Sequence, residues 1–235
     1  MSEEQPKSKR PSKKHKPPGM KILHEDRDII VIDKSEGLLT ISNNKVKDKT
    51  AHYFLNQYVQ KGNPKSRERV FIVHRLDRDT SGILVFAKNE KAKAYLQEEW
   101  GQFNKKYFAI IQGKPAQQEG EITSYLMENS MYRMYSVQDP NKGKFAKTGY
   151  KVVQTTGRFS LLEIELFTGR KNQIRVHLSD IGCPIVGDKV YGKDPKAKGR
   201  LALHAASLTI LHPYSKKQIT FETGIPSAFK ALVGS

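Results

Sequence analysis

Residues 74–82 read HRLDRDTSG, and every one of them except Leu76 and Gly82 carries a charge, a titratable ring or a hydroxyl. Apolar FIV precedes this island and ILVFA follows it. Asp77 sits between Arg75 and Arg78. A carboxylate held near guanidinium groups has a lowered pKa and stays ionised at neutral pH. That state suits a nucleophile or a fixed base. A salt bridge that ties down a loop is the plainer account of this stretch taken alone. In an extended segment Arg75, Asp77 and Asp79 share one side, and His74, Leu76 and Arg78 the other. The TSG that follows supplies hydroxyls and a glycine for a tight turn.

Two further stretches carry chemistry. In TGRKNQIRVHL, Thr168–Leu178, the cations Arg170, Lys171 and Arg175 follow a glycine, with Gln173 and His177 among them. If a helix begins after Gly169, Lys171 and Arg175 share a face at i, i+4 and Arg170 lies near its N-terminus, where backbone amides also attract anions. This is a candidate phosphate clamp. In KKYFAIIQG, Lys105–Gly113, an extended strand turns Lys105 and Tyr107 to one side. Tyr107 is a candidate for stacking on a base, and packing within a sheet is the commoner use of such a tyrosine. The histidines are scattered without HxxxH or HExxH spacing, so no metal is expected. There is no phosphate-binding glycine loop, and Ser81 lies in TSG rather than in the GxSxG of a hydrolase.

Composition points to the partner. The 235 residues hold 41 Lys and Arg against 24 Asp and Glu, a formal net charge of +17. Residues 1–18 contribute only +4 of this, so the remainder is itself strongly basic. A polyanion, and nucleic acid first, is the expected partner. No basic amphipathic helix with an aromatic face argues for a membrane surface, and no apolar run approaches the roughly 20 residues that span a bilayer. The single cysteine, Cys183, permits no internal disulfide and fits the reducing cytoplasm.

The elements that must position these residues can be read from pattern. Residues 1–19, rich in Lys, Pro and Ser, are expected to be a disordered basic arm. From Met20 to Ser235 the chain reads as a single catalytic domain. KILHEDRDIIVIDK is a hairpin turning at Glu25–Asp28. Thr50 caps an amphipathic helix, AHYFLNQYV, and Asn89 caps a second, EKAKAYLQEEW, stopped by Gly101. ILVFAK, KKYFAIIQG, EITSYL, YRMYSVQ, KTGYKVVQTT, RFSLLEIELF, LALHAASLTIL and KQITFET read as strands, and QIRVHLSDI as a helix ended by Gly182. Strands in blocks with few helices predict an α+β fold with a largely antiparallel, mixed sheet.

With these residues in place, the chain resembles the RluA-type pseudouridine synthases. HRLDRDTSGILVFAK fills the family's HRLD-x-x-TSG pattern with its hydrophobic run and closing AK. IIVIDKSEGLLT is similar to the family's strand and KPxG segment, KKYFAIIQGKP to its K-x-Y-x-A strand, TGRKNQIRVHLSDIGCPIVGDKVYG to its GRxHQIRxH block, and RLALHAASLTILHP to its C-terminal strand. The resemblance covers Met20 to about Pro226. It implies the family's catalytic fold with a central RNA-binding cleft, and isomerisation of uridine to its C-glycoside in structured RNA by base flipping, without cofactor or metal. It makes Asp77 the essential aspartate, Tyr107 the active-site tyrosine and Arg175 the arginine that pairs with the aspartate. His74, Arg75, Arg78, Lys105, Arg170, Lys171 and Gln173 become the candidate RNA contacts.

Two positions depart from the family pattern. Asn172 stands where His is usual, so any charge-dependent role there is lost. Ser35 stands for Pro, which is expected to loosen the first turn. The S4 RNA-binding module that many relatives carry is not expected in this chain, which has only the basic arm before Met20. The RNA is tRNA or large-subunit rRNA, and nothing argues for more than a monomer. Two other readings remain at this stage: an RNA-binding or remodelling protein of the same fold without useful catalysis, and an RNA hydrolase using His74 and Asp77.

Overall fold

The structure is a computed structural model describing residues 16–42, 46–63, 65–193 and 199–234. Most of the expected basic arm, residues 1–15, lies outside these. Eleven strands form one sheet in the order β1-β2-β4-β10-β5-β9-β8-β6-β7, with β11 paired to β10 and β3 to β4. They are β1 (Met20–Glu25), β2 (Ile29–Lys34), β3 (Phe71–Ile72), β4 (Ser81–Ala87), β5 (Asn104–Gln112), β6 (Glu119–Glu128), β7 (Met134–Val137), β8 (Lys144–Thr155), β9 (Phe159–Leu166), β10 (Leu203–Leu211) and β11 (Gln218–Glu222). Among the named strands of the described residues only β4 and β10 pair in parallel. The helices are α1 (Ala51–Gln60), α2 (Glu90–Glu98), α3 (Gln173–Asp180) and α4 (Ser227–Val233).

The continuous apolar runs of β2 and β4 follow from burial on both faces. Ile30, Ile32, Leu84 and Phe86 pack against Ala51, Leu55 and Val59 of α1. Ile29, Val31, Ile83 and Val85 pack on the opposite face with Ala92 and Leu96 of α2. A third cluster joins β5 and β9 to Ile174 and Leu178 of α3 and Phe229 and Val233 of α4. Both expected caps form: the Thr50 side chain accepts from the Tyr53 amide, and the Asn89 side chain from the Ala92 amide. Gly101 does not stop the second helix. α2 ends at Glu98 and tightens into a 3-10 turn, Glu99–Gln102, that runs through the glycine.

The sheet's registers assemble the site. Gly82 at the start of β4 lies beside Ala205 of β10, and Ala205 lies opposite Tyr107 of β5. One strand therefore separates the end of the polar island from Tyr107. The approach demands glycine. Gly82 has φ +112°, and a Cβ there would meet the Ala205 carbonyl oxygen at 2.2 Å. Among the described residues no helix is long and apolar enough to cross a membrane.

Candidate active site

A cleft of about 290 Å³ opens beside the sheet, with Asp77, Tyr107, Asn172 and Arg175 in its lining. His74, Arg75, Lys105, Arg170 and Gln173 line it too, as does Trp100. Arg78 and Lys171 are not among its lining residues. Arg78 is exposed and pairs with neighbouring Asp79 at 3.1 Å. Lys171 is held by Glu128 and by the Tyr132 carbonyl, in a neighbouring groove.

The polar island is a loop rather than a strand. After β3 the chain has no regular structure until a turn in which the Thr80 amide donates to the Asp77 carbonyl. The two-sided alternation expected of an extended segment therefore does not hold, and His74 and Arg75 both line the cleft. Two groups pin the loop from behind. The Thr40 hydroxyl donates to the Leu76 carbonyl and accepts from its amide. Fully buried Lys34 donates to the carbonyls of Ser35, Leu38 and Arg78 at 2.8–3.0 Å. Ser35, where the family pattern has Pro, gives its amide to the Gly19 carbonyl at 2.9 Å. Proline has no amide to give, so this turn gains a tie instead of only losing rigidity.

Asp77 presents its carboxylate to two donors on one oxygen. Asn172 Nδ2 lies 2.5 Å and Arg175 Nη1 3.2 Å from Oδ2. Arg175 is in turn fixed by a two-point pairing to Asp188, 2.7 and 2.9 Å. Burial opposes the charge on Arg175, but its bonds to Asp188 and then Asp77 outweigh burial and raise its pKa. Burial likewise works against the Asp188 carboxylate, yet Arg175 and the Tyr191 and Val190 amides hold it below the usual range.

The clamp expected from a helix starting after Gly169 does not form. Asn172 has φ +53°, in the left-handed region, and α3 starts only at Gln173. Lys171 is thus outside the helix and cannot share a face with Arg175. Asn172 tolerates this backbone better than most side chains, and the turn aims its amide at Asp77. Buried Gln173 accepts from the Thr168 hydroxyl and the Arg170 amide, and donates to the Lys147 carbonyl and the Thr148 hydroxyl. Its bonds are spent shaping the 168–173 loop.

The remaining walls combine neutral rings with the Lys105 ammonium. Tyr107 is pushed above the ordinary phenol range, first by burial and then by the charge on Asp77, so its hydroxyl stays protonated and can donate. His74 is pushed down to about 3 by burial, with Lys105 adding to it. It accepts from the Val85 amide and stacks on Trp100 with ring centroids 4.1 Å apart. It is a neutral wall rather than a cation. Burial lowers Lys105, which donates to the Trp100 carbonyl.

Reading the sequence by residue did not single out Lys34, Trp100, Asp188 or Tyr191. Asp188 and Tyr191 stand in GDKVYG, a segment with no apolar period, whose Gly187 has φ +75° and whose Cβ would meet the Arg200 carbonyl oxygen at 2.0 Å. The two glycines that bracket the segment, Gly187 and Gly192, were the available signal. Among the described residues one histidine–carboxylate cluster also forms, from Asp26, Asp28 and His212. His212 Nδ1 faces the amides of Tyr214 and Ser215, which puts its proton on Nε2, 3.0 Å from Asp26. The cluster ties two turns together through hydrogen bonds.

Comparison with known proteins accords with this geometry. The family model described as RNA pseudouridylate synthase matches residues 28–180. Ribosomal large subunit pseudouridine synthase D of Zymomonas mobilis is 34% identical over 91% of this chain and 71% of its own length. An uncharacterised RNA pseudouridine synthase of the same organism is 38% identical over 90% of this chain and 96% of its own. Human RNA pseudouridylate synthase domain containing 4 superposes with a TM-score of 0.74 at 25% identity, covering 88% of this chain and 89% of that one.

Proposed function

The chain belongs to the RNA pseudouridylate synthase family and isomerises uridine to pseudouridine in RNA; from that premise we propose that Asp77 acts directly on the flipped nucleoside, with Arg175 and Tyr107 beside it. The observation that carries this is the asymmetric carboxylate. Oδ2 is taken by Asn172 and Arg175, and among the described residues Oδ1 has no hydrogen-bond donor. A carboxylate with one oxygen anchored and the other presented to a cleft is arranged for attack or for proton abstraction.

The reaction breaks the N1–C1′ bond, turns the uracil and joins C5 to C1′; C5 gives up its proton and N1 takes one up. Arg175 holds the Asp77 carboxylate in one orientation throughout. Tyr107, held protonated, stacks on the uracil and donates a hydrogen bond. Arg75 and Arg170, both exposed at the cleft's rim, contact phosphates of the strand entering it. His74 and Gln173 shape the pocket. The enzyme works in the cytoplasm as a monomer, and residues 20–235 form its catalytic domain.

The RNA itself is tRNA or large-subunit rRNA. The ribosomal name of the Zymomonas relative supports the second. The test is a map of pseudouridines in tRNA and rRNA from cells lacking the gene. We expect one or more positions to revert to uridine and to be restored by the wild-type chain but not by Asp77→Asn. Restoration by Asp77→Asn would overturn the assignment.

A further inference from the structure

Both groups that hold Asp77 are themselves held by one buried residue that the mechanism above does not use. Tyr191, 7% exposed, lies between β7 and the start of α3. Its hydroxyl accepts from the Met134 amide at 3.1 Å and donates to Asn172 Oδ1 at 3.4 Å. The directions are forced. The Met134 amide can only donate, so the phenolic proton points to Asn172. The Asp77 carboxylate can only accept, so Asn172 must turn Nδ2 toward it and Oδ1 toward Tyr191. The amide is therefore oriented from both ends.

Tyr191 also supports Arg175. The Arg175 guanidinium lies 5.0 Å from the centre of the Tyr191 ring, and so does that of Arg133. The Tyr191 backbone amide donates to Asp188 Oδ1 at 3.0 Å, and Asp188 clamps Arg175. Every contact that fixes Asp77 Oδ2 thus leads back to Tyr191.

We propose that Tyr191 is a positioning residue for the isomerisation, its hydroxyl setting the Asn172 amide and through it the orientation of the Asp77 carboxylate. This rests on the assignment of Asp77 as the group that acts on the nucleoside. The 3.4 Å separation is long for a hydroxyl donor, and bonds of this kind tighten when substrate fills a site. Tyr191 lies behind Asn172 and Arg175 and does not line the cleft, so its removal acts on kcat rather than on RNA binding.

The experiment is steady-state tritium release from RNA carrying 5-³H-uridine, with Tyr191→Phe, Asn172→Ala and the double variant, alongside thermal unfolding of each. Phenylalanine keeps the buried ring and its contact with Arg175. We expect Tyr191→Phe to lower kcat about tenfold with KM within about twofold. We expect the double variant to be no slower than Asn172→Ala alone, because the hydroxyl acts through that amide and the two losses do not add. A wild-type kcat for Tyr191→Phe, a loss confined to KM, fully additive losses, or a collapse of its thermal stability that accounts for the lost rate would each overturn the proposal. Failure of the wild type itself on every RNA offered would instead fault the functional reading, and would be evident before any variant was compared.

Discussion

The carboxylate of Asp77 is useful only while its surroundings stay cationic or neutral. Asn172 meets this requirement without a titratable ring, donating one hydrogen bond to Oδ2 at any pH. Replacing it with an acid of the same shape reverses the effect. Asn172→Asp places a second carboxylate within hydrogen-bonding reach of the first, and two like charges there cannot both stay ionised without cost. We expect kcat to fall at least a hundredfold at pH 7 and to recover partly as pH is lowered and one carboxyl takes up a proton. A pH-independent kcat in this variant would contradict the arrangement. The sequence disclosed the exchange of His for Asn but not its consequence. The left-handed backbone at Asn172 ends any helix to its N-terminal side, and no periodicity in TGRKNQIR signals that break.

At the scale of elements, the loop carrying Asp77 is held by Lys34 at the end of β2. Burial pulls this ammonium down to about 8, against the pull of Asp79 and Asp77. Below that pH three protons serve three carbonyls; above it the neutral amine has two N–H donors for the same three acceptors. We expect kcat to fall as pH rises through about 8, and Lys34→Met to be slow at every pH with no inflection there. Unfolding should not follow the same course. Between about 8 and the unfolded lysine's 10.5 the unfolded chain binds more protons, so this group favours the folded state increasingly as pH rises. Rate and melting temperature measured together across pH 7–10 would separate the two, and a kcat unchanged through pH 9 would count against the role of Lys34. The elements themselves were largely legible. The continuous apolar runs of β2 and β4 and the Thr50 and Asn89 caps gave strands and helices where they stand. Helix α4 was not anticipated, because SAFKALV is a short segment and its apolar face is defined only by Phe229 and Val233 packing against β5 and β9. What pattern could not give was the pairing: that β10 runs parallel to β4 and antiparallel to β5, and so brings residues 77 and 107 to one cleft.

Across the whole molecule the formal charge is +17, and much of it lies outside the N-terminal eighteen residues. Several of these cations are already engaged: Lys171 with Glu128, Lys106 with Glu163, Lys147 with Glu121, Arg200 with Glu36. These pairs already cancel in the net count, so the +17 stands for cations in excess of all carboxylates. RNA affinity should still fall steeply with salt, log K dropping with log[salt] by about 0.7–0.9 for each phosphate neutralised. Titration of affinity between 50 and 300 mM salt checks this, and a flat response would mean that the basic surface is not the docking surface.

The most direct measurement is tritium release from RNA labelled at uridine C5, offered to the wild-type chain and to Asp77→Asn. The substitution keeps shape and volume, removes the charge and exchanges one acceptor oxygen for an NH2 donor, while the remaining oxygen can still accept from Asn172 and Arg175. Release by the wild type, with none by Asp77→Asn while both bind RNA equally, is the predicted result. Equal release by the two proteins would place the chemistry on another residue and contradict the account.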